Sequence, residues 1–300
     1  MNMNSYPRRP DRAGVGMVKF RRVSAQKEEV KLITRSKAET FLLENGIFYT
    51  LGLVIALGLK YYYSGASSDA LNWILVPTSR LVEYLSGIHF EKELHSGLVS
   101  HSHRYIIAPS CAGINFLTIA FSTFFFSLAY RLKGIERKLL WLGISLTVTY
   151  LLTLGANALR VLAAIYLYRA DIYGGWITPE RVHRIEGTLI YFVFLLFAYV
   201  TVQKLVAHFL LNRSGERKYI NIQRKSLLNM IYVCLIPFFC YSFITLGIPL
   251  LNVAHKLNRT KYMEHSFWVI SSCLTILLLL FLILFVCRKM ADHMRQRKRK

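Results

Sequence analysis

The sequence predicts an all-α fold: a polytopic transmembrane helical bundle of six to eight membrane helices, with both termini cytoplasmic. Three observations predict it. Apolar stretches close to the roughly 20 residues that span a bilayer recur along the chain. Hydrophobic residues make up 54% of the 300 residues and the mean hydropathy is +0.36, more than a soluble domain needs to fill its core. The net charge of +22 is gathered in clusters beside those stretches.

Taken in order, residues 1–45 form a basic cytoplasmic segment with ten Lys/Arg, and no signal-peptide pattern leads the chain. Six runs are clear spanning candidates: Gly46–Tyr63, Ala112–Tyr130, Leu139–Leu159, Thr188–Val206, Leu228–Leu251 and Ser266–Cys287. Two others are weaker. Ala70–Leu85 is short and carries Pro77, Arg80 and Glu83, and Val161–Tyr168 is too short to span alone. The expected organisation is a membrane core at 46–211, a basic cytoplasmic loop at 212–227, a two-helix membrane hairpin at 228–287 and a basic cytoplasmic tail at 288–300. No internal repeat and no heptad run is found.

The charge map orients the chain. Residues 131–138 hold four Lys/Arg, 204–225 hold six and 288–300 hold seven. With only the six strong runs spanning, these clusters and the N-terminal one all fall in the cytoplasm, as the positive-inside rule requires. If both weak runs also spanned, Arg131-Leu132-Lys133-Gly134-Ile135-Glu136-Arg137-Lys138 would be exported as a short loop, where that rule is strictest. The same placement excludes a nucleic-acid partner in favour of anionic lipid: Arg295-Gln296-Arg297-Lys298-Arg299-Lys300 reads as a headgroup anchor. Tyr61-Tyr62-Tyr63 reads as an interfacial aromatic belt.

Of five cysteines, Cys234, Cys240, Cys273 and Cys287 lie inside apolar runs and read as core residues. Cys111 alone opens a helix, after Pro109-Ser110, so its thiol is expected near the first turn, at the positive end of the helix dipole. In this topology it is extracytoplasmic. So are Asn157 and Arg160, three apart and on one face at the end of the third strong helix. An arginine beside a membrane segment requires a partner or a watery cavity. The following loop ends in Thr178-Pro179-Glu180-Arg181-Val182-His183-Arg184-Ile185-Glu186-Gly187, just before the fourth strong helix. His183 and Gly187 share a face, and a glycine there admits close approach of a neighbour.

A thiol, an arginine and a histidine on one membrane surface suit thiol acyl transfer. Cys111 is the expected nucleophile forming an acyl thioester, His183 the general acid/base, and Arg160 the oxyanion stabiliser. At Cys111-Ala112-Gly113, at Asn157-x-x-Arg160 and at His183-x-x-x-Gly187 the sequence resembles the exosortase/archaeosortase family of membrane-embedded cysteine transpeptidases, over about residues 105–195. The family often has Ser where this chain has Ala112. The resemblance implies Gly113, Asn157 and Gly187 as supporting residues and no cofactor. It further implies an enzyme, a protein-sorting transpeptidase or protease at the inner membrane with its site on the extracytoplasmic face. Its partners would be exported proteins ending in a short motif, a transmembrane helix and a basic tail; the acceptor nucleophile is open.

His89, His95, His101 and His103, with Glu91 and Glu93, are metal-ligand types in one loop. Their spacing matches no helical ligand pair, so the loop reads as solvated or substrate-contacting and no metal is expected. Ser102 there lacks the partners of a triad. Asp171 or Glu186 can pair with Arg160, Arg181 or Arg184, or orient His183; the sequence does not choose. Two rival readings stand beside the enzyme: a small-solute transporter whose Arg160 binds an anion, disfavoured by the missing repeat, and a non-catalytic envelope assembly protein.

Overall fold

The structure, a computed structural model, describes residues 12–93, 97–103, 105–170, 173–175, 177–214, 227–247 and 259–297. His95, Asp171, most of the basic loop 212–227, the end of the Leu228–Leu251 run and the last three residues of the tail lie outside the described residues. The chain divides into two compact units, Met1–Leu51 and Gly52–Lys300. In the first, helix α1 (Arg12–Gly65) begins, and Asn45 Nδ2 donates to the Phe41 carbonyl one turn back at 3.0 Å.

Helix dominates the described residues. Among the described residues five helical segments are long and apolar enough to cross a membrane: Glu39–Gly65, Pro109–Arg131, Ile135–Arg169, Pro179–Val206 and Arg259–Met290. The sixth expected run is α6 (Leu227–Ser242), continued by a π-helical turn at Phe243–Gly247. Helix α3 (Ile114–Leu128) is central: 83% of its apolar window is buried, against 22% in each of the other four. Its Phe116, Phe121, Phe124 and Phe125 are fully enclosed, while the others turn apolar faces outward, as helices in lipid do. Helix α4 (Ile135–Arg169) packs on α2, α3 and α5, and α5 (Pro179–Ser214) also packs on α6 and α7 (Arg259–Arg297).

Helix α2 (Asn72–Ser86) takes up the first weak run. Fifteen residues reach about 22 Å, short of the ~30 Å hydrocarbon layer. Pro77 removes the N–H that would bond the Trp73 carbonyl, and the Tyr150 hydroxyl of α4 donates to that oxygen instead, at 2.8 Å. Gly87, at φ 70°, closes the helix through its N–H to the Glu83 carbonyl.

Three expectations are corrected. First, the chain is not purely helical: Glu91–Glu93 (β1), Gly97–Ser100 (β2) and Tyr105–Ile107 (β3) form an antiparallel sheet in the order β1-β2-β3. Leu98 faces Ile107 and Val99 faces Ile106, β-branched and apolar pairs that favour strand pairing. Second, the run Val161–Tyr168 is no separate segment but the last turns of α4, so Arg160 lies within a helix and not at its end. Third, residues 179–187 are helical. Thr178 Oγ1 accepts from the Arg181 N–H at 3.3 Å, Pro179 fits the first helical position and Glu180 meets the positive helix end. Apolar content locates the lipid-embedded part of a helix, whereas caps decide where it starts.

Candidate active site

Residues from three elements converge near the N-terminal ends of α3 and α5 and the last third of α4. Cys111 closes a 3-10 turn, Pro109–Cys111, which follows β3 directly. Gly113 then takes φ 73° and caps α3, which starts at Ile114. Cys111 therefore lies three residues before the first residue of α3, in the turn that leads into it. Its side chain is buried, at 9% exposure. The turn is held from α1, where the Tyr63 hydroxyl donates to the Pro109 carbonyl at 3.3 Å.

The Cys111 thiol lies close enough to the His183 imidazole and the Arg160 guanidinium for the three groups to interact. Arg160 Nη2 lies 2.6 Å from His183 Nε2. A guanidinium only donates, so Nε2 accepts and the ring proton sits on Nδ1. Nδ1 in turn faces Glu186 Oε2 at 3.5 Å, one turn along α5.

A second chain of bonds runs from the arginine to the cysteine backbone. Arg160 Nη1 donates to the Tyr191 hydroxyl at 3.2 Å, Tyr191 donates to Asn157 Oδ1 at 2.8 Å, and Asn157 Nδ2 donates to the Cys111 carbonyl at 2.6 Å. The guanidinium also lies over the Tyr191 ring, 5.3 Å from its centroid, and that ring stacks on Phe116 at 4.6 Å. Asn157 is fully buried, so leaving either end of its amide unpaired would be costly.

The two glycines expected to support the site are both at close approaches. A Cβ on Gly113 would sit 3.2 Å from Asn157 Cγ and from Thr153, on a left-handed backbone that disfavours side chains. A Cβ on Gly187 would sit 2.7 Å from Arg160 Nε.

A cavity of about 490 Å³ opens beside this cluster. Arg160, His183, Ser110 and Gly113 line it, and the buried Cys111 is their chain neighbour between Ser110 and Gly113. Its far wall comes from the C-terminal hairpin, through Tyr241, Ile244, Thr245, His265 and Val269. The hairpin is fastened to α5 by a 2.9 Å Arg181–Glu264 ion pair. A smaller cavity of about 120 Å³ lies on the other side of His183, lined by Tyr105, Tyr168, Tyr173, Val182 and Glu186 among others. Burial pushes the Tyr105 phenol well above the ordinary tyrosine value, so it is a proton donor there.

In the histidine loop, His89 pairs with Glu83 at 2.9 Å and His101 with Glu93 at 3.1 Å, and His103 meets Ser102 at 2.6 Å. Among the described residues no three His, Cys, Asp or Glu side chains gather at a metal-binding distance. Sequence reading missed Tyr191 and the hairpin wall. For Tyr191 a signal exists, since His183, Gly187 and Tyr191 recur every four residues on one face of α5. For the hairpin none exists, because its contribution depends on where it docks.

Residues 42–200 match the model of a family described as transmembrane exosortase (Exosortase_EpsH), more than half of the chain. No curated protein and no solved structure matches. The match takes in Cys111, Arg160, His183 and Tyr191, and ends before the hairpin.

Proposed function

The chain belongs to the transmembrane exosortase family, and from that premise we propose that it is a cysteine transpeptidase cleaving C-terminal sorting signals of exported proteins. The observation that carries the reading is the meeting of Cys111, Arg160 and His183, from three elements, beside one cavity within a bundle of membrane helices.

In the first step His183 Nε2 takes the thiol proton and Cys111 Sγ bonds to the scissile carbonyl carbon. The proton on Nε2 turns the Arg160–His183 contact into donor against donor. That repulsion frees Arg160 Nη2 to face the oxyanion, with Nη1 still anchored on Tyr191. The C–N bond then breaks, the leaving amine takes the proton from His183, and an acyl thioester remains on Cys111. In the second step an acceptor nucleophile, or water, gives its proton to His183, attacks the thioester carbonyl and displaces the Cys111 thiolate, which takes the proton back from His183. Arg160 again faces the oxyanion.

The substrate is a signal with a short motif, a transmembrane helix and a basic tail, able to pack beside the enzyme in lipid. Short basic loops support a cytoplasmic position for both termini and, with it, a site at Cys111 on the extracytoplasmic face of the inner membrane. The test is the full-length enzyme in membranes with a synthetic signal peptide. The expected result is a mass increase on the peptide that contains Cys111, lost in Cys111→Ala together with cleavage. Cleavage that survives in Cys111→Ala refutes the proposal.

A further inference from the structure

Among the described residues Glu186 is the one buried carboxylate, and the mechanism above does not use it. It is 7% exposed, and its Oε2 lies 3.5 Å from His183 Nδ1. Neither of its oxygens has a hydrogen-bond partner, although Arg160 Nε and Arg184 Nη1 are also buried without one. Arg181, one turn before it, is committed to Glu264. Among the described residues, then, the one ion-pair contact within 4.0 Å of this carboxylate is the imidazole. A buried carboxylate is costly unless a cation or a donor compensates it. His183 Nδ1–H is the donor at hand, because Arg160 on Nε2 forces the proton onto Nδ1.

The cavities say from which side it acts. His183 lines both of them, the large one it shares with Arg160 and the small one it shares with Glu186. Glu186 lines only the small one, behind the imidazole and away from the space a peptide would enter. It cannot touch substrate and works through the ring. Resting on the cysteine-transpeptidase reading, we propose that Glu186 is a positioning residue that holds His183 in the Nδ1–H tautomer, leaving Nε2 as the basic nitrogen of the ring. Its charge also offsets the second cation that arises beside Arg160 when His183 takes the thiol proton.

The experiment needs no knowledge of the substrate. The full-length protein in membranes is treated with iodoacetamide at neutral pH, and the alkylation rate at Cys111 is read from the mass of its peptide. Cys287, which the structure leaves exposed beside Arg288 at the end of the last apolar run and not in a core as its sequence suggested, serves as an internal reference. Five forms are compared: native, Glu186→Gln, Glu186→Asp, His183→Ala and the Glu186→Gln/His183→Ala double variant. We expect Glu186→Gln to slow Cys111 at least about tenfold with Cys287 unchanged, Glu186→Asp to restore most of the rate, and Glu186→Gln to add nothing in the His183→Ala background. Equal slowing in both backgrounds makes Glu186 a structural residue and overturns the proposal, as does a native rate in Glu186→Gln. If the Gln variant accumulates poorly, Glu186→Met, of similar length and apolar, takes its place in the same cycle. A native rate in His183→Ala removes the cysteine–histidine reading itself, an outcome distinct from failure at Glu186 alone.

Discussion

Replacing Gly187 by alanine separates positioning of Arg160 from folding. The new Cβ would stand 2.7 Å from Arg160 Nε, about 0.7 Å inside the 3.4 Å at which ordinary contact begins. The guanidinium cannot give way freely, since it is held by Tyr191 and His183 and lies over the Tyr191 ring. A shift of that size carries Nη2 from 2.6 Å to beyond 3 Å of His183 Nε2 and displaces the oxyanion donor by a similar amount. Misplacement of about 1 Å at a reacting centre costs on the order of a hundredfold in rate, so kcat for signal-peptide cleavage should fall about 10- to 100-fold. Stability should hardly change. Overpacking costs about 1–3 kcal/mol, and alanine regains about 1 kcal/mol of helix propensity over glycine. Steady-state cleavage by the purified full-length enzyme, beside a thermal unfolding scan, measures both. A variant with native kcat would refute the argument that Gly187 is required for Arg160 to sit where it does. A variant that fails to accumulate would refute the claim that the clash is absorbed locally.

Other expectations are as direct. Asn157→Leu removes the donor to the Cys111 carbonyl and the acceptor for Tyr191, and should cost about 1–3 kcal/mol in thermal stability as well as slow thioester formation, followed by mass. Tyr150→Phe leaves the Trp73 carbonyl opposite Pro77 unbonded, and should lower the unfolding midpoint by an amount near 1 kcal/mol with cleavage kinetics intact. His265→Trp fills part of the hairpin wall of the large cavity, and should raise KM for the signal peptide severalfold without altering iodoacetamide labelling of Cys111. For the topology, a membrane-impermeant thiol reagent added to intact cells should label His101→Cys and spare Gly134→Cys; the reverse pattern would overturn the orientation.

Much of the site could be read from local sequence because its residues carry local signals. A cysteine after Pro109-Ser110, an arginine three residues past Asn157, and a histidine four before Gly187 each stand out within a single turn. Cap chemistry was equally local and was passed over: Thr178-Pro179-Glu180 marks the start of α5 nine residues before hydropathy does. Hydropathy weighs transfer into lipid, and the polar first turns of α5 surround a cavity instead. The sheet at 91–107 was hidden for a related reason, since strands of three or four residues leave little periodicity to detect.

By itself the sequence determined that this is a helical membrane protein, because burial in lipid needs only apolar length. It also singled out Cys111, Arg160 and His183, because each sits at a break in that apolar pattern. Tertiary structure alone decided which groups those three face. It set Glu186 behind His183, ran the chain of bonds from Arg160 through Tyr191 and Asn157 to Cys111, and closed the cavity with a hairpin beyond the family match. The physical reason is distance along the chain. Arg160 and Tyr191 are 31 residues apart and Asn157 and Cys111 are 46, so their meeting depends on how α3, α4 and α5 pack and on no local preference.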